Sequence, residues 1–259
     1  MIASWQYQIR IRKAAEAASD MFGAWWDNEA MALGDAHIRQ ITPRTAASVI
    51  LEYEWLGTMP PFITRCYGLY FRSAGLGDVM GGAIVFSRRM EQNLIDAGTL
   101  HSVIPSDAFY LSRGACAYWT PKNSASFLIA GAAKMLGDCS ILAYADPSAG
   151  EIGTIYQALN WHYLGPTQNH SDPSGFMIDG KFHSTRVLRM YALGRVREAF
   201  PSSEVVPSER KHRYVGVYGS KRHKKRLRAQ LAPVSKPYQR RSDSKPLQLR
   251  KEADGFTVK

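Results

Sequence analysis

The chain has 259 residues, 45% of them hydrophobic, which is enough for one large domain or a domain with an appendage. No apolar run reaches the roughly 20 residues of a membrane helix, and the amino terminus lacks a charged-then-apolar leader, so a cytoplasmic protein is expected. Cys66, Cys116 and Cys139 are scattered without CxxC or zinc spacing, which excludes a disulfide scaffold and predicts buried free thiols.

A formal net charge of +11 points to a polyanionic partner. The charge is concentrated. Residues 210–228 read RKHRYVGVYGSKRHKKRLR, and Lys221, Arg222, Lys224, Lys225, Arg226 and Arg228 form an almost unbroken cationic block. Such a block repels itself as an isolated helix but gains by displacing counterions from phosphates, so nucleic acid is the expected partner. A merely solubilising tail is the alternative.

In chain order, residues 4–13 (SWQYQIRIRK) alternate and predict a first strand with Trp5, Tyr7, Ile9 and Ile11 on one face. Thr42-Pro43 reads as an N-cap and first helical residue, with Ala46, Val49, Ile50 and Tyr53 at helical spacing and Gly57 closing the helix. Residues 63–71 and 81–87 predict a hairpin around Gly75 and Gly77. After a polar stretch, 88–107, a strand is expected at 108–119, then a helix at 123–136 and a short apolar strand at 140–145. This strand–helix–strand order predicts one parallel pairing with a right-handed crossover. A turn at Asp146-Pro147 leads to a helix from Thr154 to about Tyr163, stopped by Gly165-Pro166. A polar loop, a strand near 176–183, a helix near 186–200 and a last strand near 213–218 complete the order. From about Pro233 onward large apolar residues thin out and disorder is expected.

Three places carry chemistry. The stretch Trp119 to Ser126 joins a strand to a helix start, where backbone amides, Lys122, Asn123, Ser124 and Ser126 suit a phosphate; the same residues also make an ordinary capped helix. Asp146, Glu151 and Tyr156 follow the carboxyl end of a central strand, the edge at which open α/β sheets bind ligands; Asp146 alone is equally a turn former. Tyr156, Asn160 and Tyr163 would share one helix face. Glu54 stands in the last turn of its helix, against the macrodipole, as either a functional carboxylate or a solvated one. Arg113 alternates with Phe109, Leu111 and Ala115, and an arginine on such a face needs an anion. The seven histidines form no HExxH or HxH grouping.

The segments YEWLGTMP (53–60), YLSRGACAYWTPKNSAS (110–126), YADPSAGEIGTIYQALNW (144–161), DGKFHSTR and KHRYVGVYG together resemble the Mom-like phage DNA-modification proteins, whose fold is related to Gcn5-type N-acetyltransferases. The resemblance implies an α/β (α+β) fold: a mixed, mostly antiparallel sheet with a V-shaped parallel split and helices on both faces. The resemblance runs from about Thr45 to Tyr218, and with the charge and composition of the carboxy-terminal end the expected division is an acetyltransferase-like catalytic domain over 1–220 and a basic, disordered nucleic-acid-binding tail over 221–259. The resemblance also implies transfer of a carbamoylmethyl-like group to a DNA base, adenine N6, using acetyl-coenzyme A and iron, in an infected bacterial cell. Matched motifs place Arg113 and Ser126, with Lys122, Asn123 and Ser124, at the cofactor, and Glu54, Asp146 and Tyr156, with Glu151, at catalytic or metal positions. This chain has Glu54-Trp55 where the family has a His-Tyr pair, and it lacks the acetyltransferase pyrophosphate loop. Glu54 is then a metal ligand or a general base. A flipped base would stack on Trp55, Tyr67 or Tyr156, with Lys211 and Arg213 joining the cationic block on phosphates. Decoration of a hypermodified pyrimidine and non-catalytic DNA binding are the competing readings. The oligomeric state, a homodimer included, is left open.

Overall fold

The computed structural model describes residues 4–19, 31–73, 75–88, 108–167, 175–179, 181–184, 193–206 and 209–240. The polar stretch 89–107, most of the loop after Thr167, the start of the expected 186–200 helix and the end of the basic tail lie outside them. None of the described helices is long and apolar enough to cross a membrane.

A seven-stranded sheet runs in the order β1 (His37–Ile41), β2 (Arg65–Ser73), β3 (Gly77–Arg88), β4 (Phe109–Cys116), β5 (Cys139–Ala145), β10 (His212–Tyr218), β6 (His162–Pro166). Every neighbouring pair is antiparallel except β4 and β5. Those two strands pair only at Phe109 with Ile141 and Tyr110 with Leu142, then part toward their carboxyl ends. The expected mixed sheet with one parallel split is therefore present, and the split opens beside Asp146. A separate three-stranded sheet, β8 (Lys181–Ser184), β7 (Gly175–Ile178) and β9 (Glu204–Val206), packs Phe176 and Ile178 against Val196 of α5 (Leu193–Ala199). The single strand expected near 176–183 is thus a hairpin, turned at Asp179 with φ 49°.

Helix α3 (Ser124–Leu136) covers one face, burying Leu128, Ile129, Ala132 and Ala133 against Leu69, Ile84 and Ile141. The other face is shared. Helix α2 (Pro43–Tyr53), capped by Thr42 as expected, packs Ala46, Val49 and Ile50 on Ala83, Val85 and Ala115. Helix α6 (Lys221–Leu231) packs Leu227 and Leu231 on Leu142, Val215 and Val217. The three cysteines are buried free thiols.

Three expectations are corrected. Residues 5–19 are helix α1 (Trp5–Ser19), not a strand, with Trp5 and Ile9 buried one turn apart while Tyr7 and Ile11 face solvent. Short alternation was outweighed by the helix-forming continuation KAAEAAS and by the Arg12–Glu16 and Lys13–Glu16 ion pairs. The helix expected to reach Tyr163 is only α4 (Thr154–Ala158): Asn160 turns left-handed at φ 54°, and β6 begins at His162. Residues 221–231, expected to be disordered, are helical because two leucines one turn apart are buried, Ser220 caps the start, and Asp138 accepts from the Ser220 amide and hydroxyl.

Gly216 shows how tightly β10 meets its neighbour. A Cβ there would lie 2.3 Å from Cε2 of Trp161, itself 2% exposed and unable to yield. Gly216→Ala should destabilise the protein by about 1–3 kcal/mol, read as a lowered denaturation midpoint with an unchanged slope.

Candidate active site at the strand split

A β-bulge sets the first wall. Val85 pairs with Arg113 and Phe86 with Leu111, so Ser112 is the extra residue of β4. Phe109 and Leu111 consequently face the α3 side, whereas Arg113 and Ala115 face α2. Simple alternation had put all four on one face. Arg113 is 9% exposed, donating from Nε to the Thr58 carbonyl at 2.8 Å, from one terminal nitrogen to Thr58 Oγ1 at 3.3 Å and from the other to the Ser112 carbonyl at 2.6 Å.

Its anionic neighbour is Glu54, with Oε2 at 3.8 Å from Arg113 Nε. Glu54 is the C-cap of α2, 8% exposed, and its carboxylate turns back to accept from the Leu56 amide at 2.9 Å. Burial still wins over Arg113 and the Leu56 and Gly57 amides, and the carboxyl is pushed up to about 7. Helix α1 holds this loop from behind. Gln6 donates to the Tyr53 carbonyl and accepts from the Trp55 amide at 3.2 Å, while Arg10 donates to the Tyr118 and Thr120 carbonyls at 3.0 and 3.1 Å.

The second wall begins where β5 ends. Asp146, 5% exposed, accepts from the Ser148 amide at 3.0 Å and from its hydroxyl, and its other oxygen is 2.8 Å from Lys211 Nζ. Glu151 accepts from the Asp146 amide at 3.3 Å, and its own amide donates to the Asp146 carbonyl at 3.0 Å. Gly153, at φ 78°, admits the ring of Tyr214, which a Cβ would meet at 2.3 Å. Tyr156 then lies between Trp161 (centroids 5.1 Å apart, nearly parallel) and Tyr214 (5.3 Å).

The walls share one electrostatic field. Glu151 is pushed up to about 8, first by desolvation and then by the charges of Asp146 and Glu54. The Tyr156 phenol is driven well above its usual range by burial, with Glu151 and Glu54 adding to it. Glu54, from one stretch of the chain, therefore lies within electrostatic reach of Glu151 and Tyr156, which with Asp146 come from another stretch far along it.

Other expected positions differ. Tyr67 is a core residue, 2% exposed and edge-on to Phe86. Trp55 is half-buried and edge-on to Trp5 at 5.2 Å. Arg213 clamps the Leu164, Gly165 and Pro166 carbonyls rather than reaching outward. Lys211 belongs to the site through Asp146. At the α3 start, Ser124 is buried and donates to the Pro121 carbonyl, and Ser126 donates to the Asn123 carbonyl. What faces outward there is the exposed Lys122 and the left-handed Asn123 at φ 71°.

The donor set does not fit iron. Both Asp146 oxygens and Oε2 of Glu54 are already engaged, the Tyr156 phenol is held protonated, and no group of three His, Cys, Asp or Glu suited to a metal occurs among the described residues.

Residues missed by sequence reasoning are Gln6, Arg10, Thr58 and His212, whereas Tyr163, expected on a helix face, stands in β6. His212 Nδ1 lies 2.8 Å from the Tyr163 hydroxyl, with its pKa lowered by burial against the opposing charge of Asp146. The signal for His212 was strand order: β10 lies antiparallel to β5, pairing His212 with Ala145.

No curated protein matches the chain. Among solved structures it is similar to the histone acetyltransferase HPA2 and related acetyltransferase from Corynebacterium glutamicum, with 14% identity, 53% of this chain and 91% of that one covered, and a TM-score of 0.37. The model of the Mom protein family matches residues 35–238, a span that takes in both walls of the split from Glu54 to Tyr156 and Lys211 just before β10. The chain belongs to the Mom protein family, a family of phage DNA modification.

Proposed function

We propose that the chain is a transferase that adds a small acyl-derived, carbamoylmethyl-like group to a DNA base, adenine at N6, and so protects phage DNA from restriction. Family membership supports a DNA-modifying transferase. The observation that carries the chemistry is the convergence of Glu54, Glu151 and Tyr156 where β4 and β5 part.

The two glutamates divide the proton work. Glu54, poised at about 7, accepts the proton of an exocyclic amine as its nitrogen attacks the donor. Glu151, at about 8, keeps its proton to neutral pH and delivers it to the leaving group. Lys211 keeps Asp146 anchored beneath that pair. An acyl-coenzyme A would supply the activated acyl group, with attack at its thioester carbonyl releasing the thiol and giving an N-acyl base as the immediate product, and Lys122 with the amides of the α3 start would hold its phosphates; a carbamoylmethyl group, joined through its methylene, would need a nitrogen donor besides. The base must leave its stack to reach the split. Activity should therefore rise with pH through about 7 and fall beyond about 8, as macroscopic values of a coupled pair.

Nucleoside mass spectrometry of DNA from cells expressing the protein tests the reading. A mass increase on deoxyadenosine that disappears in Asp146→Ala and falls by about 100-fold or more in Glu54→Gln is expected. An increase confined to a pyrimidine would favour decoration of a hypermodified base, the reading to which the Glu54-Trp55 replacement lends weight. DNA left unchanged by the wild-type protein would leave only a binding role.

A further inference from the structure

We infer that α6 and the segment that follows it form a docking strip for double-stranded DNA that is built into the wall of the active site. The inference rests on DNA being the substrate. Helix α6 turns its apolar edge inward at Leu227 and Leu231, leaving Lys221, Arg222, Lys225, Arg226 and Arg228 exposed. Its 11 residues span about 16 Å, a rigid row of cations against a duplex carrying one phosphate charge per roughly 1.7 Å of axis.

The chain beyond the helix runs to the site rather than away from it. Ser235 Oγ joins the Leu231 carbonyl to His162 Nδ1, each at 2.8 Å. The Lys236 amide donates to the Tyr163 carbonyl at 2.8 Å and the Tyr238 hydroxyl to the Trp161 carbonyl at 2.8 Å. The Gln239 carbonyl accepts from Gln157 Nε2 at 3.1 Å, and that same nitrogen donates to the Tyr214 hydroxyl. Trp161 and Tyr214 are the rings between which Tyr156 lies. Tyr238 itself is 40% exposed, an aromatic face beside that block. A phosphate backbone held on α6 is thus registered to the site through a continuous series of hydrogen bonds, without any base being read.

The test is salt-titrated binding of the full chain to a short random-sequence duplex and to its single strand. Arg222→Ser/Lys225→Ser/Arg226→Ser should lower the slope of log affinity against log salt by roughly 2.7, three phosphates at about 0.9 each, while circular dichroism stays native. A control triple on the α2–β2 side, Arg44→Ser/Arg65→Ser/Arg72→Ser, should leave the slope within experimental error. Equal losses in the two triples, an unchanged slope in the first, or wild-type preference for the single strand each overturns the strip. Binding requires no modified base, so unmodified nucleosides together with the expected slopes would sink the transferase reading alone.

Discussion

Glu151→Gln will stabilise the protein by about 2 kcal/mol above pH 8 or so, leave its stability near pH 4.5 almost unchanged, and abolish the fall in activity at alkaline pH together with most of the activity itself. The carboxyl sits at about 8 in the fold against 4.5 in the unfolded chain. Between those values the native state keeps a proton that the unfolded chain has released, so stability declines as pH rises through this window and levels off above it. Below about 4.5 both states are protonated and the residue contributes no pH dependence. Glutamine never ionises, so the variant lacks this decline. Solvent reaching the half-buried side chain keeps the gain well below what complete desolvation would give. Urea unfolding at about pH 5 and about pH 9 measures it, and a variant less stable than wild type at the higher pH would show that Glu151 is held ionised, not protonated. Proton delivery to the leaving group is lost at the same time, which ties the stability signature and the catalytic one to a single atom.

How much of this was legible beforehand differs between the two walls. Asp146, Glu151 and Tyr156 lie within one short stretch after an apolar strand, so strand-end placement was enough to group them. The Glu54 wall was not legible in the same way, because it depends on Ser112. One extra residue in β4 reverses the facing of Arg113, and bulges carry no composition signal in a run such as YLSRGAC. The amino-terminal helix was misread because Trp5, Tyr7, Ile9 and Ile11 alternate; only the long-range anchoring of Gln6 and Arg10 to the loops beside the site shows what the helix does. The cationic block was recognised as charge, yet its fold was hidden in two leucines that charge counting overlooks. Lys211 was taken for part of that charge, and only the pairing of β10 with β5 brings it to Asp146.

Arg113→Met will be the most destabilising single change in the site, costing about 3–5 kcal/mol at pH 8 and distinctly less at pH 5. The guanidinium holds the 54–58 loop through the Thr58 carbonyl and hydroxyl and is the favourable side-chain charge that acts on Glu54. Removing it strands a carboxylate that is 8% exposed, and Glu54 moves above its present value of about 7. Folded and unfolded states then differ in protonation from about 4.5 to beyond 7, so the added cost accrues as pH rises through that window. At pH 5 the neutral acid leaves only the lost hydrogen bonds, about 1 kcal/mol each. The double variant Glu54→Leu/Arg113→Met removes both buried charges and should regain most of the stability while remaining inactive, because an apolar pair fills the space without accepting a proton. If instead the double variant is as unstable as Arg113→Met alone, the arginine acts only through Thr58, and the rising limb of the pH profile should stay where it was. If stability returns and activity returns with it, Glu54 is not the base, and the proton must leave the amine by way of the opposite wall.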